Sequence, residues 1–573
     1  MLEPPMTAAP TVSAAPSVAR SSLTMLGGSV ASRILGVVRN ALITAIIGAQ
    51  LAGDAFSLAN TLPNVLYVLA AGGILNAVLI PSLARAMKLE DGGQEFTDRV
   101  ITVALAGMAL ITVLVTAGAG AFVWLLARNS SPDFKQLALA FSLICLPQIF
   151  FYGLFALLGQ ILNARGRFGA FAWAPFIANV VAVAGLLLFI VVFPQHRPAG
   201  PGRPGPCDPA EWTGPMIWLF AGSATLSVVV QALSLVPALR RTGFRYRPRW
   251  GLRGVGLGGV SRLALWAFGG LAVSQVGFFI SQGVLNNATA HAKELGLAGA
   301  ARGPMAYSIA FTLFMLPHAF ITVSVITSLF PRFSAAAAAG DRAGLRRYFR
   351  TGLTVPLVAN VPVMVAVIVL ANPIVALLNP GVAVNDPRSV DVSASVLVIM
   401  ILGLIPFGLD LLCYRMFFAL EDGKPTVVMQ VLLTGISAVA GVITLFINPV
   451  WAIGVMAMGQ TVGNVVSSGV GLYLLRRRTG SLGLMSAVVT ASRVGIAAAV
   501  AGVVAWGATQ VLEPITSSVV DSSSSTAKRM FASSLEIGLV GLVFLVIYLG
   551  LAHAMRVKEI RQAADMVRGR LGR

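Results

Sequence analysis

Long apolar runs alternate with short polar segments along nearly the whole chain. A helix that crosses a bilayer needs about 20 predominantly apolar residues. By that measure the chain holds fourteen candidate spans, at 22–48, 54–84, 100–127, 135–162, 170–193, 214–239, 261–288, 304–331, 350–379, 392–420, 425–447, 450–475, 487–510 and 533–555. Spans 11 and 12 are separated only by Asn448 and Pro449. The pattern predicts an all-α polytopic membrane protein.

Composition supports this class. Of the 573 residues, 57% are hydrophobic and 11% are charged, and the mean hydropathy is +0.85. Soluble domains carry about 25% charged residues, so a soluble multi-domain protein is excluded. The net charge of +20 suggests nucleic-acid binding until the positions of the Lys and Arg residues are considered. They cluster in short loops between apolar runs, as in proteins whose bases orient helices in a bilayer.

The distribution of Lys and Arg predicts the orientation. With the N-terminus inside, the inner segments carry 30 bases and the outer loops carry 9. This bias indicates cytoplasmic N- and C-termini and an even number of spans. The loop between Arg240 and Arg262 holds seven bases. We expect it to contact anionic membrane lipids rather than nucleic acid.

A partial internal repeat suggests the domain organisation. Span 2 has Leu62-Pro63 and then Pro81, and span 8 has Leu316-Pro317 and then Pro331. The two spans run in the same direction and lie six apart, which favours two parallel six-span lobes, a plan that is common in transporters. The predicted units are a disordered cytoplasmic tail (1–21), an N-lobe (22–240), a basic cytoplasmic loop (241–260), a C-lobe (261–476), an extra helix pair (477–555) and a basic cytoplasmic tail (556–573).

Two arginines lie inside span 1, where a charge is costly. Arg33 and Arg39 stand about 120° apart around the helix, and Gly36 falls midway between them. The pair would flank a smooth groove in which an anion approaches the backbone. No carboxylate of the same span neutralises either arginine, although both could instead cap carbonyls of a neighbouring helix. Guanidinium suits phosphate, because it is always charged and binds two oxygens at once.

Span 2 carries further polar residues. Asn60 and Asn64 are four residues apart and share a helix face with Tyr67, so they would face either a cavity or another helix. Pro63 should kink the helix and free a carbonyl. Asp54 opens the span, where it would serve either as an N-cap or as part of a gate.

Asp410 is the one carboxylate that the pattern places well inside a span. It should be neutral, paired or bound to a cation. Arg415 is only a fair partner, so coupling to Na⁺ or H⁺ and a structural pair with another helix both stay open. No cofactor is expected otherwise, because Cys145, Cys207 and Cys413 form no metal motif and no phosphate-binding loop is present.

Several motifs resemble the MurJ (MviN) family of lipid II flippases in the MOP exporter superfamily. The segment Ser32–Gly36 with Arg39 is similar to the family's span 1 motif. Further similarity is carried by Gly48-Ala49, Asp54-Ala55-Phe56, Leu62-Pro63-Asn64, Gly73, Pro81, Leu162-Asn163, Arg167-Phe168, Ala174-Pro175, Asn179 and Val273-Ser274-Gln275. The resemblance implies fourteen helices, two lobes of six and a groove formed by the last two helices.

The resemblance also implies a site. It assigns Arg33, Arg39, Asn40, Asn60, Asn64 and Tyr67 to substrate binding, and Asp54, Gly36 and Pro63 to gating. Several charges of the family pattern are absent: Asn40, Tyr67 and Gly72 replace charged residues, and the stretch 306–316 holds no base. The substrate cavity that the resemblance implies therefore keeps two of the family's usual cations, Arg33 and Arg39.

The function expected from the resemblance is flipping of undecaprenyl-pyrophosphate-linked lipid II by alternating access, in contact with cell-wall synthesis proteins. The protein would then be a transporter and not an enzyme. The alternatives are a MOP-type exporter of another polyprenyl-linked glycan or of amphipathic drugs, a membrane enzyme that uses lipid II, and a scaffold. The outer loops offer a catalytic site few carboxylates, and a scaffold does not need arginines in the bilayer.

Overall fold

The computed structural model describes residues 15–67, 94–164, 167–194, 208–244, 246–251, 262–297, 300–519 and 526–557. Within these ranges the chain is helical and contains no β-strand. The residues of the predicted site all fall inside them. Residues 1–14 and 558–573 of the two predicted tails and half of the basic loop 241–260 lie outside the described residues. The end of the predicted N-terminal tail, residues 15–21, is not disordered but forms the start of the first helix.

The described ranges contain twenty-one α-helices. They are α1 (Ala15–Ile47), α2 (Leu51–Tyr67), α3 (Gln94–Ala117), α4 (Ala119–Leu126), α5 (Pro132–Cys145), α6 (Gln148–Ala164), α7 (Phe168–Val192), α8 (Gly214–Leu233), α9 (Leu235–Arg240), α10 (Arg262–Glu294), α11 (Pro304–Pro317), α12 (Val323–Ala338), α13 (Arg342–Val369), α14 (Ala371–Leu378), α15 (Pro380–Asn385), α16 (Pro387–Ile401), α17 (Leu404–Ala419), α18 (Lys424–Ile443), α19 (Ala452–Thr479), α20 (Met485–Val519) and α21 (Thr526–Ala554).

The structure confirms an all-α membrane protein but not the full count of fourteen spans. Eleven helical segments of the described chain are long and apolar enough to cross a bilayer, or twelve when one bent pair counts as a span. They correspond to predicted spans 3 to 14. Predicted span 1 is the continuous helix α1, and span 2 is described only as far as Tyr67. The prediction that Asn448 and Pro449 separate two spans is confirmed, because α18 ends at Ile443 and α19 begins at Ala452.

The predicted continuous span 392–420 is wrong in one respect. The helices α16 and α17 meet at an angle of 49° around Leu402 and Gly403. Pro406 has no N–H to donate to the Leu402 carbonyl, so the helical ladder is interrupted there. Gly403 also packs tightly, because a Cβ at this position would lie 3.3 Å from the side chains of both Thr461 and Asn464.

The hydrophobic core is shared between the predicted lobes at one end of the molecule. Ile47, Phe56 and Phe141 of the N-lobe belong to the same buried cluster as Met305 and Leu397 of the C-lobe. Ile47 ends α1, and Phe56 and Met305 lie in the first two turns of α2 and α11, at the ends of these helices that the predicted topology places opposite the basic loops. We call this end the closed end.

At the other end, which carries the basic loops, each lobe has its own core. Ile101, Leu158 and Leu239 belong to a cluster made only of N-lobe residues and the adjoining Phe244. Phe333 and Phe349 belong to a second cluster, whose buried members all lie between residues 326 and 482. In the described chain the lobes therefore share one apolar core at the closed end and have separate cores at the basic end.

The last two helices pack against α13. Val494 of α20 and Val540 and Phe544 of α21 form one cluster with Leu357 of α13. The pair thus lies beside the C-lobe, and the shared core at the closed end does not include it.

Candidate functional site

Helix α1 carries both arginines and is fastened to α7. The Asn179 side-chain nitrogen donates to the Ser32 carbonyl at 2.8 Å and to the Ser32 hydroxyl at 3.2 Å. Arg33 follows directly, and its guanidinium lies 4.8 Å from the centre of the Phe320 ring in the C-lobe. This cation–π contact holds Arg33 at the boundary between the lobes without a carboxylate.

Arg39 has different neighbours and unused hydrogen-bonding capacity. Its guanidinium makes a long, 3.4 Å hydrogen bond to the Asn40 side-chain oxygen, and its buried Nε has no partner. Tyr152 lies close enough to interact electrostatically, and the ring of Tyr67 lies 6.0 Å from that of Tyr152. In the described chain no carboxylate lies within salt-bridge distance of Arg33 or Arg39. A guanidinium that is largely removed from water and has no carboxylate partner favours the binding of an anion.

Two of the predicted binding residues line one cavity between the lobes. Asn40 and Asn60 of the N-lobe face Ser308 and Asn379 across a space of about 90 Å³. Asn64, predicted to share the face of Asn60, is exposed and does not line this cavity. Arg33, Arg39 and Tyr67 do not line it either, although Arg39 is joined to Asn40 by a hydrogen bond.

Gly36 and Pro63 serve packing in this conformation. A Cβ at Gly36 would lie 3.5 Å from the Asn179 side chain, so the smooth face of α1 at this residue is turned toward Asn179 of α7. Pro63 is buried, and α2 continues past it to Tyr67. Their predicted gating roles are not tested by these contacts.

Asp54 joins the two lobes at the closed end. Because α2 begins at Leu51, Asp54 is not the N-cap of its own helix, and that interpretation is wrong. Its carboxylate is buried and accepts a 2.7 Å hydrogen bond from the Met305 backbone nitrogen. Met305 lies in the first turn of α11, whose free N–H groups and positive dipole end favour an anion. Asp54 therefore caps a helix of the opposite lobe.

A buried ion pair next to this cap was missed by the sequence analysis. Arg302 contacts Asp386 at 2.8 Å and donates to the Ser389 hydroxyl at 2.5 Å. Gln50 of the N-lobe donates to the other oxygen of Asp386 at 2.9 Å. Burial alone would raise the pKa of Asp386, but the hydrogen bonds from Ser389 and Gln50, together with Arg302, hold that pKa below its usual value. An ionised Asp386 thus supports a second bond between the lobes.

Asp410 is buried in α17 and is not paired with Arg415. It accepts a 2.8 Å hydrogen bond from the Ser467 hydroxyl of α19. The Arg415 guanidinium lies instead 5.1 Å from the centre of the Phe330 ring. Among the described residues, no cluster of three His, Cys, Asp or Glu side chains could hold a metal ion.

The fold and this site define a class of protein. Two helical lobes that join at one end and separate at the other, with cations near their boundary, are typical of alternating-access transporters. The structure matches an inward-facing multidrug resistance transporter of the MOP superfamily with a TM-score of 0.60 at 17% identity, over 79% of this chain and 96% of that one. The fold is therefore that of a MOP-superfamily transporter.

The family follows from closer similarities. The model described as lipid II flippase MurJ matches residues 43–520, and the chain belongs to this family. A probable lipid II flippase MurJ of Rhizobium tropici is 26% identical over 82% of this chain and 86% of that protein. The lipid II flippase MurJ of Burkholderia cenocepacia is 26% identical over 71% of this chain and 74% of that protein. A solved lipid II flippase MurJ in an inward closed conformation covers 95% of this chain and is fully covered itself, with a TM-score of 0.67 at 18% identity.

Proposed function

We propose that this protein moves lipid II from the inner to the outer leaflet of the cytoplasmic membrane by alternating access. Membership of the MurJ family supports this substrate. The observation that carries the proposal is Arg39, whose buried Nε has no partner and which has no carboxylate within salt-bridge distance in the described chain, while the next residue, Asn40, lines a cavity between the lobes. No bond of the substrate is broken in this proposal, so the protein acts as a transporter and not as an enzyme.

The arrangement of charges suggests how the pyrophosphate is held. Arg39 offers its free Nε, and Arg33 offers a guanidinium whose present contact is the face of Phe320. Each guanidinium can bind two phosphate oxygens at once. Because Phe320 belongs to the C-lobe, binding of an anion at Arg33 would alter a contact between the lobes. Substrate binding and lobe movement are then coupled at this residue.

The lipid tail needs an apolar path beside the cavity. A space of about 780 Å³ lies between α13, α20 and α21, and Val365, Ile368, Val503 and Trp506 are among its lining residues. We assign the undecaprenyl chain to this groove, which keeps the tail near lipid while the head group crosses.

The basic loops support the proposed orientation in the membrane. Arg247 and Arg249 lie at the end of the molecule where the lobes have separate cores. Placed at the cytoplasmic face, this end would attract anionic lipids and receive the substrate where it is made. Proteins of cell-wall synthesis are the partners that this role implies.

The proposed function is tested by depleting the protein in growing cells. A reagent that modifies lipid II only from outside the membrane then measures how much substrate has reached the outer leaflet. We expect the accessible fraction to fall before growth stops and to recover when the protein is restored. An unchanged fraction during full depletion would contradict the proposed function.

Transport up a gradient requires a driving force, and Asp410 is the proposed coupling residue. A membrane potential supplies about 2.3 kcal/mol per charge per 100 mV. A carboxylate with one hydroxyl donor and no basic partner among the described residues is suited to bind Na⁺ or H⁺.

We therefore expect Asp410→Asn to keep substrate binding and to remove the ion dependence of flipping. The measurement is flipping by the purified protein in vesicles with imposed Na⁺ or H⁺ gradients. Asp422→Asn is the matched control, because Asp422 is paired with Arg478 at 2.9 Å and should not respond to the gradient. Persistent ion dependence in Asp410→Asn would exclude the coupling role.

A further inference from the structure

A second cavity lies inside the C-lobe. It measures about 430 Å³, within the range of about 300–1,000 Å³ that is usual for ligand sites. Side chains from α10, α11, α17, α18 and α19 line it, and Ser57 and Thr61 of α2 close it on the side of the N-lobe. We call this cavity the C-lobe chamber.

The lining of the C-lobe chamber combines apolar side chains with polar ones, and its described residues are uncharged. Four glutamines, Gln275, Gln282, Gln430 and Gln460, point to it together with several Ser and Thr residues, and no Asp, Glu, Lys or Arg is among its described lining residues. A primary amide offers both donors and acceptors, so these side chains match hydroxyl and amide groups of a ligand. A bare carboxylate would lose its hydration here without gaining a cation.

One glutamine has an unused acceptor. Gln282 is 8% exposed, and its side-chain oxygen has no hydrogen-bond partner. One helical turn further along α10, Asn286 is 1% exposed, and neither polar atom of its side chain has a partner. A buried acceptor without a donor is costly, typically about 1–3 kcal/mol. The Gln282 oxygen is therefore available to accept from an N–H or O–H group of a ligand, which an amide or a hydroxyl supplies and an ionised carboxylate does not.

Two of the other glutamines are already held in place by the protein. Gln430 accepts from the Tyr414 hydroxyl at 3.3 Å, and Gln460 donates to the Asn464 oxygen at 3.2 Å. Such bonds fix the orientation of the amides before a ligand arrives. A preorganised polar lining of this kind favours selective binding.

The C-lobe chamber is adjacent to the cavity that contains Asn40 and Asn60. Ser57, Thr61 and Ser308 line both spaces. A substrate whose anionic group is held at Arg39 could therefore extend its head group past these hydroxyls into the C-lobe chamber.

From this geometry we infer that the C-lobe chamber binds the uncharged, amide- and hydroxyl-bearing part of the head group and selects amidated peptide side chains over free carboxylates. This inference rests on the proposed function, since it concerns the head group of the same substrate. The cations of the N-lobe then hold the pyrophosphate, and the neutral amides of the C-lobe bind the rest of the head group.

The test compares the binding of three lipid probes to the purified protein by native mass spectrometry. The probes are undecaprenyl pyrophosphate, lipid II with amidated peptide side chains, and the same lipid II with free carboxylates. We expect the wild-type protein to bind the amidated form about tenfold more tightly than the carboxylate form, which corresponds to about 1.4 kcal/mol. Gln282→Leu should lose most of this preference and bind undecaprenyl pyrophosphate as before. Gln282→Lys should shift the preference toward the carboxylate form.

The controls separate this inference from the proposed function. Gln231→Leu changes a glutamine of α8 that does not line the C-lobe chamber, and it should keep the wild-type preference. Equal binding of the two lipid II forms by the wild-type protein would overturn the inference and leave the proposed function intact. This comparison needs no variant, so a Gln282 variant that failed to fold would not weaken it. Failure to bind all three probes would instead contradict the proposed function.

Discussion

Replacement of Arg39 by alanine should abolish complementation of a strain that lacks the protein. The guanidinium has no carboxylate partner within salt-bridge distance in the described chain, and its Nε is unpartnered. If it holds the pyrophosphate through two charge-assisted hydrogen bonds, the loss of each bond weakens the binding free energy by about 1.5–3 kcal/mol. Flipping of lipid II in reconstituted vesicles should then fall by about 100-fold or more. Arg33→Ala should have the same direction of effect.

Arg415→Ala is the matched control for the arginine variants. Arg415 also lies in an apolar helix and also stacks on a phenylalanine, at 5.1 Å against 4.8 Å for Arg33. It should retain flipping if the effect belongs to the pyrophosphate site rather than to any arginine in the bilayer. Arg39→Lys keeps the charge but not the paired donors, so partial activity is expected. Normal growth with both Arg33→Ala and Arg39→Ala would refute the pyrophosphate role.

A cross-link that holds the closed end together should stop transport. The Thr44 hydroxyl of α1 donates to the Asn379 side-chain oxygen at 3.2 Å, so these positions face each other across the lobe boundary. In a background without native cysteines, Thr44→Cys with Asn379→Cys should be joined by a short bifunctional thiol reagent. Alternating access requires this end to separate, so flipping should be lost and should return when a reducible linker is cleaved.

A matched pair within one lobe tests whether the cross-link itself is harmful. Asn360 donates to the Thr322 hydroxyl at 2.8 Å, and both residues belong to the C-lobe. Thr322→Cys with Asn360→Cys has the same residue types and a similar spacing, yet it joins elements that are predicted to move together. This pair should remain active after cross-linking. Full activity of the cross-linked Thr44 and Asn379 pair would mean that the closed end does not open during transport.

Much of the fold was predictable, because hydropathy is a local property. Predicted spans 3 to 14 correspond to helices, and the turn at Asn448 and Pro449 was placed correctly. The 49° bend in span 10 was not predicted. Pro406 was visible in the sequence, but a proline in a membrane helix is often tolerated. The tight packing of Gly403 against α19 depends on residues about sixty positions away.

The site was predicted less completely, for a related reason. An arginine in an apolar run is exceptional from the sequence alone, so Arg33 and Arg39 were found. Arg302 lies in a loop, where a charge is ordinary, and nothing near it in the sequence indicates its pairing with Asp386, 84 residues later. The partner of Asp54 is a backbone nitrogen 251 residues away. Such long-range partners carry no local sequence signal.

The shared core at the closed end also sets the free energy that the proposed outward opening requires. Separation of the lobes would expose side chains such as Phe56 and Met305, and each large apolar side chain contributes about 1.5–3 kcal/mol when buried. A protein without substrate gains no binding free energy to offset this cost, so we expect it to rest with the closed end shut. The cargo must bind the outward form more tightly than the inward form by a comparable amount before populations shift. Small molecules that stiffen this core would therefore act as inhibitors without competing for the substrate site.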